Sequence, residues 1–274
     1  MSATIGNEAF KRFESTSYSD VAQGYADKTA HVSAQSNDRI LDIAEVTSGS
    51  AVLDVACGPG LLAAAAVQRG ASVIGVDFAP NMVTIARVQC PDAEFQEADA
   101  ESLPFEDARF DAVVCSLGIL HFPKPETAVG EVFRVLKSGG RYVFTCWKPP
   151  AANPFMALIL GSIQAHGTLS VDLPAGPPLF RFGETAECDG ILRQAGFVQR
   201  NVTECPLIWP AASPEEFLRE IPKSAGRLGP LLALQAEDQR LAIETAILRA
   251  AQAFQTQDGV RIPSAVLIAS GRKP

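Results

Sequence analysis

The sequence predicts an α/β fold, a mostly parallel sheet of seven strands with helices on both faces, carrying helical cap and lid insertions. Three observations predict it. Between residues 51 and 147, short and nearly continuous apolar runs alternate with helical patterns, which is how parallel strands covered on both faces read. The first run ends in the turn Gly58-Pro59-Gly60 and passes straight into a helix. The second run ends in an acid, Asp77.

Residues 1–50 read as a polar helical lead-in ended by Thr47-Ser48-Gly49-Ser50. Ala51 to Ala56 is the first strand, apolar except for Asp54, and Leu61 to Arg69 an alanine-rich helix. Ser72 to Val76 is the second strand, and Pro80 to Gln89 a helix with proline in its first turn. Ala93 to Ala98 and Phe110 to Ser116 are strands three and four. The helix Glu126 to Lys137 puts Val129, Val132, Phe133 and Leu136 on one face. Ser138-Gly139-Gly140 is expected to stop it before strand five, Arg141 to Trp147. Beyond lie a helix around Phe155 to Gln164 and a loop rich in Pro and Gly. Thr185 to Ala195 reads as a helix, Phe197 to Pro206 as a strand, 213–256 as helical and Gly259 to Ser270 as the last strand. The expected organisation is a single globular domain with a lid at 1–50, a core at 51–147, a lid insertion at 148–183 and the rest of the sheet at 184–274, interrupted by a cap at 213–256.

Composition narrows the function classes. The net charge is −8, and the densest basic stretch, Arg261 to Lys273, is sparse. Nucleic-acid binding needs clustered Lys and Arg on phosphates, so a small-molecule partner is expected and a nucleic acid is not. The six cysteines form no CxxC pair, and no histidine lies at metal-ligand spacing to them. They read as buried thiols of a reducing compartment, with no metal site. The polar segment Met1 to Glu14 is no signal peptide, and no apolar run reaches membrane-spanning length. A cytoplasmic protein is expected, as monomer or homodimer.

Two motifs carry ligand chemistry. Gly58 and Gly60 let the backbone approach a ligand, and the helix start after them offers free N–H groups. They also fit a tight turn that binds nothing. Asp77 is placed to accept from both hydroxyls of a ribose, or to cap the helix at Pro80. Gly58-Pro59-Gly60-Leu61-Leu62-Ala63 also matches the G-x-G-x-x-A form of the nicotinamide-dinucleotide fingerprint, so an NAD-dependent oxidoreductase is a rival. Asp54 counts against it, since its carboxylate would face a pyrophosphate with like charge. It suits a phosphate-free ligand bearing an ammonium, whose attraction strengthens in a half-buried site.

Val52 to Gly60, Asp77, Ala98-Asp99-Ala100-Glu101-Ser102-Leu103-Pro104-Phe105, Phe110-Asp111-Ala112-Val113 and Leu136-Lys137-Ser138-Gly139-Gly140-Arg141 come in order and spacing. Together they resemble the class I S-adenosylmethionine (SAM)-dependent methyltransferases, closest to their UbiE-like small-molecule branch, over roughly residues 18–147. The resemblance implies a Rossmann-like sheet with its last strand antiparallel, SAM as cofactor and S-adenosylhomocysteine as product. It implies that Asp54 and the backbone at Ala56, Gly58 and Gly60 surround the methionine portion, with Ser116 and Leu117 nearby. Asp77 would bind the ribose, Phe78 and Met82 flank the adenine, and Asp99 accept from its amino group beside the Ala100 N–H. Tyr25 would close over the cofactor, with Tyr18 a competitor for that role. Ser138 stands where the family more often has proline. A protein of this fold repurposed as a non-methylating catalyst or binding subunit keeps the same motifs.

Methyl transfer from a sulfonium needs alignment, and a base only where the nucleophile holds its proton. Of the three histidines, His121 follows the fourth strand at the carboxyl edge of the sheet and is the candidate base, with His31 and His166 as lesser ones. Each also fits a packing or surface role. Phe155, Met156, Leu158, Ile159, Phe180, Phe182, Trp209 and Phe217 make the segments after residue 148 apolar. They suggest an enclosed pocket for an aromatic or lipophilic metabolite, methylated on O, N or C.

Overall fold

In a computed structural model, the chain is described at residues 2–223 and 225–274, with side chains from residue 6 onward. The lead-in forms α1 (Ser2–Asp20), a single turn α2 (Ala22–Gly24), a π-helical turn at Tyr25–Thr29, α3 (Ala30–Ala34) and α4 (Asn37–Ile43). Then follow β1 (Ala51–Val55), α5 (Leu61–Gln68), β2 (Ser72–Asp77), α6 (Pro80–Gln89), β3 (Glu94–Glu97), β4 (Phe110–Cys115), α7 (Pro125–Val135) and β5 (Leu136–Trp147). The remainder is α8 (Pro154–His166), α9 (Thr185–Gln194), β6 (Val198–Ala211), α10 (Pro214–Glu220), α11 (Leu228–Ala233), α12 (Glu237–Gln252), a two-residue β7 (Gln255–Thr256) and β8 (Gly259–Arg272).

The sheet runs β3-β2-β1-β4-β5-β8-β6, with β7 paired to β8. β1 is parallel to both β2 and β4, β2 to β3 and β4 to β5, while β8 is antiparallel to β5 and β6. This is the expected mostly parallel sheet with its last strand reversed, plus the hairpin scrap β7. The chain leaves β1 toward β2 on one side and returns to β4 on the other. That reversal opens a crevice at the carboxyl ends of β1 and β4, where open α/β sheets bind ligands.

Strand alternation divides the core between the two faces. Val52, Val73, Val114, Val143 and Ile268 pack with α4, α5, α8 and α12. Leu53, Val55, Val113, Cys115, Tyr142 and Phe144 pack with α7 and α9. Because side chains alternate along a strand, Asp54 falls on the face of Val52, toward α5, at 1% exposure.

Three expected boundaries shift for local reasons. α7 ends at Val135, since Leu136 is already extended with φ −71° and ψ 140°. Gly139, at φ +84°, sits instead within an irregularity where the β4–β5 register slips. β6 continues past Pro206 and Pro210 to Ala211; as an edge strand it tolerates prolines that cannot donate to a ladder. The segment 213–256 breaks into α10, α11 and α12, with Pro222 and Gly226 between the first two, residues that interrupt helices. Among the described residues no helix is long and apolar enough to cross a membrane.

Candidate active site

The carboxyl ends of β1, β2 and β4 open into three adjoining cavities. A cavity of about 280 Å³ is lined by Val55, Ala56, Asp77, Phe78, Asp99 and Ala100 from the sheet side and by Lys11, Arg12 and Ser15 of α1 above. A small one of about 30 Å³ lies at Asp54, Gly58, Pro59, Asn37 and Ser116. The third, about 410 Å³, is largely apolar, with Trp147, Phe155, Ile159, Phe180, Trp209 and Leu231 in its wall. Ala56 belongs to the first two cavities, Tyr25 to the last two, and His121 to the first and third. The three spaces therefore meet around the β1 and β4 ends.

The backbone there is unusual. Ala56 (φ +55°) and Leu117 (φ +58°) are left-handed without being glycine; the first follows β1 directly and the second lies two residues past β4. Such residues cost energy and cluster where a site needs a fixed geometry. Gly118 makes room for the first, because a Cβ there would lie 2.6 Å from the Ala56 methyl. Gly60 turns at φ +86° and would place a Cβ 3.1 Å from Ala86 and Phe95. Its bareness thus serves packing of α5 against α6, while Gly58 (φ +52°) faces the ring of Tyr25.

The acids differ in how far they are satisfied. Asp77, buried, accepts from the Gly58 N–H at 2.8 Å and the Ala79 N–H at 2.9 Å. Asp77 is not the N-cap of α6, which is Ala79 and carries no side-chain cap; it binds the N–H of that residue from two positions before and lines the cavity of about 280 Å³. Burial raises its pKa, and those two N–H groups oppose the rise. Asp54 is otherwise placed. Its Oδ2 is buried without a hydrogen-bond partner among the described residues. Burial first, then the charge of Asp77, pushes its carboxyl up to about 8. An orphaned buried carboxylate oxygen is costly unless a donor reaches it, and the small cavity gives a donor room to do so. A cation suits this position, and a pyrophosphate would meet a second negative charge.

Asp99 accepts from the Glu101 N–H and from Lys11 Nζ, the latter at 2.6 Å, and Lys11 also reaches Glu101. α1 is tied down further by Ser15 Oγ donating to the Phe78 carbonyl and by Asn81 donating to the Ser19 carbonyl. His121 stands under α1. Its Nδ1 lies 2.7 Å from Glu14 Oε2 and its Nε2 3.2 Å from the Tyr18 hydroxyl. The Tyr18 ring meets His121 edge-on at 4.9 Å and Tyr25 at 5.8 Å. Tyr25 stands in the π-helical turn, a local widening that often marks a functional position.

The residues singled out from sequence are mostly brought together. Asp54, Ala56, Gly58, Asp77, Phe78, Asp99, Ala100, Ser116, Leu117, Tyr25 and His121 line one or another of the three cavities. Gly60 lies just behind, in the turn. Met82 lines none of the three cavities; it is buried with Ala22 and Ala79 beneath Tyr18 and Tyr25. His31 and His166 are exposed and line none of the three. Sequence reading missed Lys11, Glu14 and Ser15. The signal available was spacing: 11, 14/15 and 18 recur at helical intervals on α1 and place one face over the sheet edge.

A methyltransferase-domain family model matches residues 53–144. Over 123 residues the chain is 42% identical to a demethylmenaquinone methyltransferase of Thermus thermophilus, covering 43% of this chain but only 56% of that one. Over 215 residues it is 34% identical to a demethylmenaquinone methyltransferase of Clavibacter sepedonicus, covering 69% and 85%. Among solved structures, the YcgJ protein of Bacillus subtilis superposes with a TM-score of 0.55 at 23% identity, covering 88% of this chain and 99% of that one. That likeness speaks for the fold alone.

Proposed function

The chain belongs to the class I SAM-dependent methyltransferases, and from that premise we propose that it moves the methyl group of SAM onto a lipophilic aromatic metabolite bearing an ionisable ring hydroxyl, of the hydroquinone kind. The observation that carries this reading is the meeting of three cavities at the ends of β1 and β4, joined through Ala56, Tyr25 and His121. Two of them offer polar groups of the right kind for an adenosyl amino acid, and the third offers an apolar enclosure for an acceptor. The names of the relatives support a quinone-type acceptor.

The residues present fit SAM. Asp54 Oδ2 would receive the ammonium, which supplies the missing donor. Asp77 would accept from the ribose, using lone pairs its two backbone bonds leave free. Asp99 and the Ala100 N–H would hold the adenine edge, with Phe78 against its face. When bound, SAM supplies an electrophilic methyl on sulfur.

The chain's own work is alignment, exclusion of water and proton removal. Trp147, Phe155, Trp209 and Phe180 enclose an aromatic acceptor, and a dry wall strengthens the few polar contacts inside it. Tyr25 separates the small cavity from the apolar one. His121 reaches the apolar cavity and would take the ring-hydroxyl proton, raising the electron density of the ring for attack on the methyl.

The test is transfer of label from [methyl-14C]SAM to reduced demethylmenaquinone with a short side chain. Labelled quinol accompanied by stoichiometric S-adenosylhomocysteine is expected. Tight S-adenosylhomocysteine binding with no labelled product from this or other ring hydroxyl acceptors would defeat the reading.

A further inference from the structure

Glu14 is a buried acid that no sequence motif announces. Its side chain is 2% exposed, it comes from α1 rather than the sheet, and it lies 2.7 Å from His121 Nδ1. We propose that Glu14 is the positioning residue of the site, fixing His121 as the Nδ1–H tautomer so that Nε2 is the nitrogen that takes the proton. This rests on the reading of the apolar cavity as the acceptor site.

The geometry leaves little choice of tautomer. An ionised carboxylate only accepts, so a neutral His121 must carry its hydrogen on Nδ1 to satisfy the contact. Nε2 is then an acceptor, and the Tyr18 hydroxyl facing it at 3.2 Å donates. Tyr18 can do so because its own oxygen takes the backbone N–H of Gly226. Burial, then the charge of Glu14, keeps the Tyr18 phenol protonated by raising its pKa well above the usual value. Tyr18 lines the apolar cavity and its hydroxyl holds the lone pair of Nε2, so the acceptor's proton reaches Nε2 by relay: Tyr18 gives its proton to Nε2 as its oxygen takes the acceptor's. A carboxylate behind the imidazole both orients it and stabilises the imidazolium formed on proton transfer.

The groups around His121 come from several elements. Two acids face it, Glu14 from α1 at 2.7 Å and Asp77 from β2. Arg227, before α11, lies 4.0 Å from Glu14 Oε1. Tyr18 and Tyr25 stay neutral, their pKa values raised first by burial. Removing the charge of Glu14 alone should therefore loosen the imidazole and lower kcat.

The experiment is long-range 1H–15N NMR on histidine-labelled protein saturated with S-adenosylhomocysteine. With only three histidines, H121Q identifies the resonance. The expected wild-type result is a protonated Nδ1 and an unprotonated Nε2. E14Q should lower kcat toward reduced demethylmenaquinone about tenfold or more, with the dissociation constant for S-adenosylhomocysteine within about twofold; E14D should recover part of the rate. An Nε2–H tautomer in the wild type would overturn the proposal, as would a folded E14Q with wild-type kcat. The wild-type tautomer decides even if E14Q does not fold. Failure of the underlying reading looks different: H121Q would then turn over normally whatever the tautomer.

Discussion

Asp54 ties stability, ligand binding and pH together in one carboxyl group. Its pKa of about 8 in the folded protein lies far above its unfolded value near ~3.9. The folded state therefore binds the proton more tightly, and this group weakens folding progressively as pH rises from about 4 to about 8. An ammonium beside Oδ2 would stabilise the anion and reverse that shift. Binding of S-adenosylhomocysteine at pH 7 should then release close to one proton, measured by calorimetry in buffers of different ionisation enthalpy. D54N should melt higher than wild type at pH 8 without ligand and bind S-adenosylhomocysteine at least about tenfold more weakly; tighter binding by D54N would contradict this role. Asp77 behaves differently, because two N–H groups depend on it. D77A should cost about 1–3 kcal/mol in urea unfolding as well as weakening ligand binding; loss of binding with unchanged stability would mean the two backbone bonds contribute nothing.

At the scale of elements, legibility followed the origin of each contact. The turn after β1, the acid ending β2 and the acid after β3 are local features, so Asp54, Gly58, Asp77 and Asp99 could be read from the chain and all border the crevice. α1 could be read as a helix but not as a roof, because its partners lie far along the chain: Lys11 on Asp99 and Glu101, Glu14 on His121. The end of α7 was misread for a related reason. The glycine pair that resembles a helix stop instead relieves a register slip against β4. Because α1 is held mainly by side chains over a cavity it would share with the cofactor, its amides should exchange measurably faster in the free protein than with S-adenosylhomocysteine bound. Hydrogen-exchange mass spectrometry checks this, and equal protection in both states would remove α1 from cofactor closure. G60A combines a left-handed alanine with crowding against Ala86 and Phe95, and should cost about 3 kcal/mol in urea unfolding.

The whole molecule assembles its apolar cavity from parts that sequence order keeps apart: α1, the ends of β4 and β5, α8, the 169–180 loop, β6 and the α11 region. No local motif encodes such a wall, which is why the chain announces its cofactor far more clearly than its acceptor. Phe155 stacks on Trp209 with centroids 4.3 Å apart, and Phe217 meets both edge-on. W209A should raise KM for reduced demethylmenaquinone severalfold while leaving the S-adenosylhomocysteine dissociation constant unchanged; equal loss of both would point to general collapse of the fold rather than loss of an acceptor wall.

A crystal structure with S-adenosylhomocysteine bears most directly on the whole picture. The expected density places the amino nitrogen within hydrogen-bond distance of Asp54 Oδ2, the ribose hydroxyls at Asp77, the adenine edge at Asp99 and the sulfur facing the cavity that His121 and Trp209 line. Ligand bound elsewhere, or with its sulfur turned away from that cavity, would contradict it.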